Sequence, residues 1–148
     1  MSSGRFLVTT TPEIAALLKA TVREALTSLG EAFPSIEMQV VPDGQGGAWT
    51  EFKDLPLGAP YSQETTFLIF LLPFNLPGSD IYPMFVRPDL SRLDGQPLGQ
   101  SFQVTQLAWP REPTPRPVVQ VSRRTRGSFA TQTAAQKIGK VLDWIRAQ

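Results

Sequence analysis

The segment that most constrains the fold is TTFLIFLLP at residues 65–73, which is apolar at every position from 67 to 72. A strand that is buried on both faces has such a continuous apolar run, whereas a half-exposed strand alternates. The run is rich in β-branched and aromatic residues, and Pro73 bounds it. These features predict a central strand that is covered on both sides.

Two further strands precede this segment. In SIEMQVV, at residues 35–41, apolar residues alternate with polar neighbours, and AWTEFK at 48–53 alternates in the same way. The linker PDGQGG between them combines proline, aspartate and glycine, which is typical of a hairpin turn. The sequence therefore predicts a β-hairpin before the central strand.

A helix is predicted over residues 11–33, because the apolar residues recur every three or four positions. Thr10 or Thr11 can cap its beginning, and Gly30 with Pro34 is expected to end it. The apolar face consists of Ile14, Leu17, Leu18, Val22, Leu26, Leu29 and Phe33.

After the central strand, MFVR at 84–87 is interpreted as a short strand between two prolines. The polar loop at 88–100 leads to SFQVTQLAW at 101–109, which is expected to be extended. A proline-rich connector at 110–117 follows, and VVQVSRR at 118–124 can form another short strand.

A closing helix is predicted after Thr131 or Thr133, either of which can cap it. Its apolar stripe consists of Ala134, Ile138, Val141, Leu142 and Ile145. The order of elements is a helix, an antiparallel meander, a long irregular stretch and a C-terminal helix, which is typical of the α+β class. A chain of 148 residues fits a single domain, so we expect one domain over residues 1–148.

The composition excludes several kinds of chemistry. The chain has no cysteine, which rules out disulfides, thiolate metal ligands and thiol nucleophiles, and it has no histidine, the usual general base near pH 7. The first residues lack the apolar core of a signal peptide, and the longest apolar run, at 67–74, is too short to span a bilayer. We therefore expect a soluble, cytoplasmic protein with no membrane segment.

Charge is distributed unevenly along the chain. Residues 1–110 contain 6 basic and 11 acidic side chains, a net charge of about −5, whereas residues 111–148 contain 8 and 2, a net charge of about +6. Within VSRRTRGS, at 121–128, Arg123, Arg124 and Arg126 could grip carboxylates or phosphates, although a solvated loop has the same composition. A nucleic-acid site is the less favoured interpretation, because no nucleic-acid-binding motif accompanies the cluster.

Other candidate catalytic groups are weaker. Asp89 and Asp94, with Asp80 nearby in sequence, could pair as acid and base or bind a hard metal ion, but the turn signals in the same loop explain them without chemistry. No metal site is therefore predicted. Hydroxyl groups such as those of Ser101 and Thr105 have no histidine to activate them.

A family resemblance rests on a series of short motifs. Tyr82-Pro83 ends the meander, and further motifs precede and follow it in a characteristic order. They are Pro77-Gly78, Met84-Phe85-Val86, Pro88-Asp89-Leu90, Asp94-Gly95-Gln96-Pro97 and Ser122-Arg123. In their order and spacing, residues 64–146 resemble the ubiquitin-conjugating fold, and in particular its prokaryotic family E.

The resemblance implies a role in a bacterial ubiquitin-like conjugation system, of the kind used in antiphage defence. Conjugating enzymes carry their cargo as a thioester on cysteine, and this chain has no cysteine. It also lacks the His-Pro-Asn element whose asparagine steadies the oxyanion. The resemblance therefore implies a non-catalytic protein without a cofactor. Its expected partners are a ubiquitin-like protein, an activating enzyme or an active conjugating enzyme of the same operon.

The arginine cluster and the loop around Asp89 and Asp94 are the predicted docking elements for such a partner. Two alternatives remain open. An active conjugating enzyme whose cysteine had been replaced would have the same sequence, with Ser101, Thr105 and Ala108 in the region of the nucleophile. The basic C-terminal third could instead bind nucleic acid or another polyanion.

Overall fold

The computed structural model describes residues 8–9, 11–110, 112–125 and 132–148. Within this part of the chain there are seven strands and three helices. They are β1 (Val8–Thr9), α1 (Pro12–Ala15), α2 (Ala20–Ala32), β2 (Met38–Pro42), β3 (Ala48–Pro56), β4 (Thr65–Leu72), β5 (Met84–Val86), β6 (Phe102–Leu107), β7 (Arg116–Val121) and α3 (Ala134–Arg146).

The strands form one sheet in the order β1-β2-β3-β4-β5-β7-β6. All neighbouring strands are antiparallel except β1, which runs parallel to β2. Strand β4 has three strands on either side, so the predicted central strand is confirmed. The predicted α+β class is also confirmed.

Strand β4 supplies the core on both faces of the sheet. Leu68, Phe70 and Leu72 are fully buried in the main cluster, together with residues of α2 and α3. Ile69 is equally buried on the opposite face. There it belongs to a smaller second-face cluster, formed by Val41, Ile69, Phe85, Leu107, Trp109 and Val118.

Arg116 covers part of this second face. Its guanidinium carbon lies 5.1 Å from the ring centroid of Phe67 and 5.6 Å from that of Trp109. The same group forms ion pairs with Glu51 and Glu112, both at 3.0 Å. The aromatic rings and the two carboxylates together fix this arginine against the sheet.

The predicted hairpin between 35–41 and 48–53 is confirmed. Strands β2 and β3 pair antiparallel with Val40 opposite Thr50. In the connecting turn, Asp43 Oδ1 accepts hydrogen bonds from the backbone N–H groups of Gln45 (2.7 Å) and Gly47 (2.9 Å). The aspartate in the linker therefore stabilises the turn through its own side chain.

The prediction of one continuous helix over 11–33 is wrong, because the chain leaves the helix between Ala15 and Ala20. Arg23 donates to the carbonyls of Ala15 and Leu18 at this break, and the N–H of Lys19 donates to the carbonyl of Gly46 at 2.9 Å. These contacts replace helical hydrogen bonds.

The break also changes which residues the helix buries and where it ends. Leu17, which was assigned to the buried face, is 62% exposed. The cap at Thr11 is confirmed by a hydrogen bond from the N–H of Ile14 at 3.2 Å, whereas Thr10 lies outside the described residues. The second helix continues past Gly30 to Ala32.

The expected long irregular stretch is shorter than predicted. It occupies residues 87–101, after which β6 and β7 form a hairpin that extends the sheet beyond β5. The segment 101–109, predicted to be extended, contains β6 at Phe102–Leu107, and the strand predicted for 118–124 is present as far as Val121, the end of β7. Strand β7 begins at Arg116, inside the proline-rich connector.

The closing helix is confirmed, and Thr133 is its N-cap. Thr133 Oγ1 accepts from the N–H of Gln136 at 3.1 Å, and Gln136 Oε1 accepts from the N–H of Thr133 at 2.8 Å. The other candidate cap, Thr131, lies outside the described residues. At the opposite end, the buried hydroxyl of Tyr61 donates to the carbonyl of Ile145 at 2.7 Å, which anchors the helix to the sheet side of the core.

No helix in the described ranges is long and apolar enough to cross a membrane.

Candidate partner-binding site

The end of β7 and one face of α3 enclose a basic cleft of about 250 Å³. Its lining residues come from the segment after β7 and from the helix. They are Arg123, Arg124, Thr125, Gln132, Lys137, Lys140, Val141 and Trp144. Four of the eight carry a basic side chain, so two of the three predicted arginines lie in a concave and strongly cationic site.

Aromatic rings support both arginines. The guanidinium carbon of Arg123 lies 4.6 Å from the ring centroid of Trp144, and that of Arg124 lies 3.9 Å from the ring centroid of Tyr82. Stacking uses the flat face of a guanidinium, while its five N–H donors lie in the plane. Within the described residues neither guanidinium forms an ion pair, so no described carboxylate occupies these donors.

Trp144 is itself held by the sheet. Its ring stacks on Phe102 of β6, with centroids 5.4 Å apart and an interplanar angle of 19°. The tryptophan therefore joins α3, the sheet edge and Arg123. This packing orients Arg123 before any partner binds, which lowers the entropic cost of binding.

Beneath the cleft lies a buried ion pair between Lys137 and Asp80. Lys137 is only 3% exposed, and its Nζ atom lies 3.2 Å from Asp80 Oδ1. The same Nζ donates to the carbonyl of Arg123 at 2.8 Å and to Thr125 Oγ1 at 3.1 Å. The lysine thus fixes the backbone that carries the first of the two arginines.

The Asp80 carboxylate receives several donors. The N–H of Thr125 donates to Oδ2 at 2.7 Å, and the Thr125 hydroxyl donates to Oδ1 at 2.9 Å. Burial acts to raise the pKa of Asp80, but these hydrogen bonds and the Lys137 charge outweigh it and hold the pKa below its usual value.

The pKa of Lys137 is lowered because burial penalises its charged form, and attraction to Asp80 offsets that effect only in part. Since all the donors of Lys137 point to protein acceptors, it is a structural group of the cleft floor.

Gln132 adds a polar acceptor to the cleft. Its amide nitrogen donates to Thr125 Oγ1 at 2.9 Å. Its Oε1 atom is buried and has no hydrogen-bond partner in the described part of the chain. A ligand that also carries a donor could satisfy this oxygen.

Asp89 and Asp94 lie elsewhere, and each is paired within its own loop. Arg87 binds both carboxylate oxygens of Asp89, at 2.6 and 2.9 Å, and Arg92 binds Asp94 at 3.0 Å. The side-chain hydrogen bond from its arginine is the main cause that holds the pKa of each carboxyl below its usual value.

The three aspartates therefore do not gather into one site. Asp80 is committed to Lys137 and Thr125, whereas Asp89 lies in a separate shallow pocket with Arg87 and Pro88. Among the described residues there is no group of three or more acidic, histidine or cysteine side chains placed to hold a metal ion. The acid-base and metal interpretations of this loop gain no support from its geometry.

Other residues of the short sequence motifs lie around β5 and in the loop that follows it. Strand β5 lies between Pro83 and the exposed Pro88, as predicted. Gly95 adopts a positive φ of 75° in the turn after Asp94, where a side chain would be strained, and Pro97 is exposed in the same loop.

Ser122 belongs to the sheet rather than to a reactive centre. Its N–H donates to the carbonyl of Ser101 at 2.8 Å, and its hydroxyl accepts from Gln120 at 3.2 Å. Thr105, one of the positions considered for a replaced nucleophile, lies within β6 opposite Val118. Of the other two such positions, Ser101 lies in the turn just before β6 and Ala108 directly after it.

Sequence reasoning missed Lys137, Lys140 and Trp144 as site residues. The helical pattern does contain a signal for Lys137, because it lies three residues after Ala134 and four before Val141, on the buried stripe. A lysine at such a position requires a buried acceptor.

Arg126, the third predicted arginine, lies outside the described residues.

No protein-family model, curated protein or solved structure matches this chain.

Proposed function

We propose that this chain is a non-catalytic binding domain whose basic cleft receives an acidic segment of a partner protein. The observation that carries the proposal is the pair of ring-supported arginines, Arg123 and Arg124, whose donors are free among the described residues. Two guanidinium groups held over aromatic rings match carboxylates better than flexible lysines do.

A binding role fits the chemistry of the chain better than catalysis. There is no cysteine to carry a thioester and no histidine to activate a hydroxyl. The buried lysine is an unsuitable nucleophile, because Asp80, Thr125 and the Arg123 carbonyl engage its ammonium group. The charged groups that remain accessible in the cleft can attract and orient a ligand.

The resemblance to ubiquitin-conjugating proteins narrows the partner class. The proposed partner is a ubiquitin-like protein, or the activating or active conjugating enzyme of the same bacterial conjugation system. Asp89 and Asp94 belong to the proposal as a second docking element. Because Arg87 and Arg92 already neutralise them, we expect their contribution to be smaller than that of the cleft.

The test is calorimetry of the chain with the ubiquitin-like, activating and conjugating proteins encoded beside its gene. The variant Arg123→Glu/Arg124→Glu should weaken binding at least tenfold, because it repels an acidic segment. Lys19→Glu/Lys53→Glu makes the same change in net charge away from the cleft and should alter affinity by less than about threefold.

A second variant separates stacking from charge. Arg123→Lys keeps the positive charge but loses the planar fork and the stack on Trp144, so we expect several-fold weaker binding. Lys140→Arg is the matched control in the same cleft and should leave affinity unchanged.

Two results would overturn the proposal. One is the absence of binding to any of the three neighbouring proteins, and the other is equal loss in the two double variants. Binding of nucleic acid in gel shifts, with a steep salt dependence, would favour the polyanion interpretation instead. A cysteine codon at 101, 105 or 108 in the natural gene would favour an active enzyme.

A further inference from the structure

Strand β6 forms an open edge of the sheet. On one side it pairs with β7 over six residues without a bulge, and on the other side no described segment pairs with it. Phe102–Leu107 contains no charged residue and no proline. Sheet edges are normally protected by lysine, proline or a bulge, so this edge is open to another strand.

The hydrogen bonds to β7 show which backbone groups face outward. The N–H of Ser122 donates to the carbonyl of Ser101 at 2.8 Å, so residues 101, 103, 105 and 107 direct their backbone groups toward β7. The alternate residues, Phe102, Val104 and Gln106, therefore direct theirs to the open edge. Pro117 lies opposite Gln106, at a position where no donor toward β6 is needed.

Most of these outward groups are unoccupied. The N–H of Phe102 donates to the carbonyl of Gly99 at 3.1 Å, but no described residue bonds the outward groups of Val104 and Gln106. The side chain of Val104 is 74% exposed. It lies on the same face as its partner Val119, which belongs to the main core, but beyond the cover of α3.

We infer that two copies of this chain associate through their β6 edges, antiparallel, with a two-fold axis at Val104. This register pairs Val104 with itself and Phe102 with Gln106 of the other copy. The outward residues are arranged symmetrically about Val104, so one rotation brings every outward group opposite an outward group. In this pairing the N–H of Phe102 exchanges the carbonyl of Gly99 for that of Gln106 in the other copy. The two sheets become one continuous sheet, and the exposed valines meet at the axis.

The uncharged edge is the reason to choose a second copy as the occupant. In a two-fold interface each side chain near the axis meets its own kind, so a lysine or glutamate there would face a like charge. This edge carries only Phe102, Val104 and Gln106 on the face concerned, and none of them repels itself. The edge is therefore self-complementary in both backbone pattern and side chains.

A chain without cysteine permits a direct test of this register by single-cysteine variants. Across the proposed axis the Cα atoms of residue 104 are about 5.5 Å apart, which is within the range of a disulfide. Val104→Cys should therefore give a disulfide-linked dimer under mild oxidation. Gln106→Cys is the matched control, because its two copies would lie about 14 Å apart.

We expect Val104→Cys to cross-link at least ten times faster than Gln106→Cys at the same concentration. Equal rates would indicate collisions in solution and would overturn the proposed register. Slow cross-linking of both variants would overturn it as well.

Sedimentation velocity over a concentration series gives an independent measurement. The unmodified chain should pass from monomer to dimer, whereas Val104→Pro and Val104→Lys should remain monomeric at concentrations at least tenfold higher. Proline at 104 removes an outward donor without removing a bond to β7, and circular dichroism should show an unchanged fold. A monomer at all concentrations, or a dimer that persists in both variants, would contradict the inference.

Discussion

Asp80 and Lys137 illustrate how single residues organise the cleft. Asp80 lies in the loop before β5 and Lys137 lies on α3, yet together they fix Thr125 and the carbonyl of Arg123. An ion pair in such a position contributes little net stability as a unit, but removing one partner leaves the other charge buried and unpaired.

We expect Asp80→Asn to lower the free energy of unfolding by roughly 3 kcal/mol at pH 7, the lower end for breaking a buried pair, since asparagine can still accept from Thr125. The pKa of Asp80 is lowered in the folded state. Its stabilisation is therefore complete above the unfolded pKa of about 4 and is lost as pH falls through the folded pKa.

Urea unfolding from pH 7 to pH 2 measures the difference in the free energy of unfolding between the unmodified protein and the Asp80→Asn variant. It should shrink below about pH 4. Asp143 is an exposed carboxylate on the same helix as Lys137. The control variant Asp143→Asn should therefore change the free energy of unfolding little over this pH range. A pH-independent difference for Asp80→Asn would show that the aspartate acts through shape rather than charge.

The sequence revealed the site only in part. A run of three arginines within four residues is visible in any sequence, and two of them, Arg123 and Arg124, line the basic cleft. The partnership of Asp80 with Lys137 spans 57 residues, and no local pattern specifies which distant carboxylate a buried lysine will meet. Residues 89 and 94 looked available because their pairing with arginines two positions earlier depends on loop conformation.

At the scale of elements, the strongest patterns were the most predictive. Strand β4, which is apolar on both faces, was predicted as the central strand, and the alternating strands β2 and β3 were predicted to pair as a hairpin. In both cases the spacing of apolar residues and the turn residues indicate the same structure. The break in the first predicted helix coincides with hydrogen bonds of Arg23 to the carbonyl of Ala15 and of Lys19 to the carbonyl of Gly46. The spacing of apolar residues gives no information about such contacts. The pairing of the β6–β7 hairpin with β5 likewise could not be predicted from local sequence patterns.

The turn between β2 and β3 gives a prediction at this scale. A Cβ atom at Gly47 would lie 2.6 Å from Asp43 Oδ2 and 2.7 Å from the carbonyl oxygen of Leu72. Because that second contact is backbone, it cannot move aside easily. Gly47→Ala should therefore lower the free energy of unfolding by about 2 kcal/mol, as measured by urea denaturation.

Gly99 is the matched control for this substitution. No atom lies within 4 Å of a Cβ built there, so Gly99→Ala should change stability by less than about 0.5 kcal/mol. Similar losses in both variants would show that the close approach at the hairpin does not determine the effect, because the entropy change of Gly→Ala favours the folded state.

For the whole molecule, the two faces of one sheet should unfold together. Trp49 and Trp109 report on the second-face cluster, whereas Trp144 packs against the main core. In Trp144→Phe, fluorescence reports only the second face, while far-UV circular dichroism reports the whole backbone. We expect the same denaturation midpoint by both methods, because β4 contributes buried residues to both clusters.

A fluorescence midpoint clearly below the circular dichroism midpoint would show that the second face melts separately. The single-domain interpretation of residues 1–148 would then have to be revised.

The fold also redistributes the charge that the sequence separates. Arg116 and Lys137 from the basic third are neutralised by Glu51 and Asp80 from the acidic part of the chain. Among the described cations that line the cleft, Arg123, Arg124 and Lys140 have no carboxylate partner and keep counterions in solution. When an acidic ligand binds, about three ions rather than eight should be released, so the logarithm of affinity should fall gently with the logarithm of salt concentration.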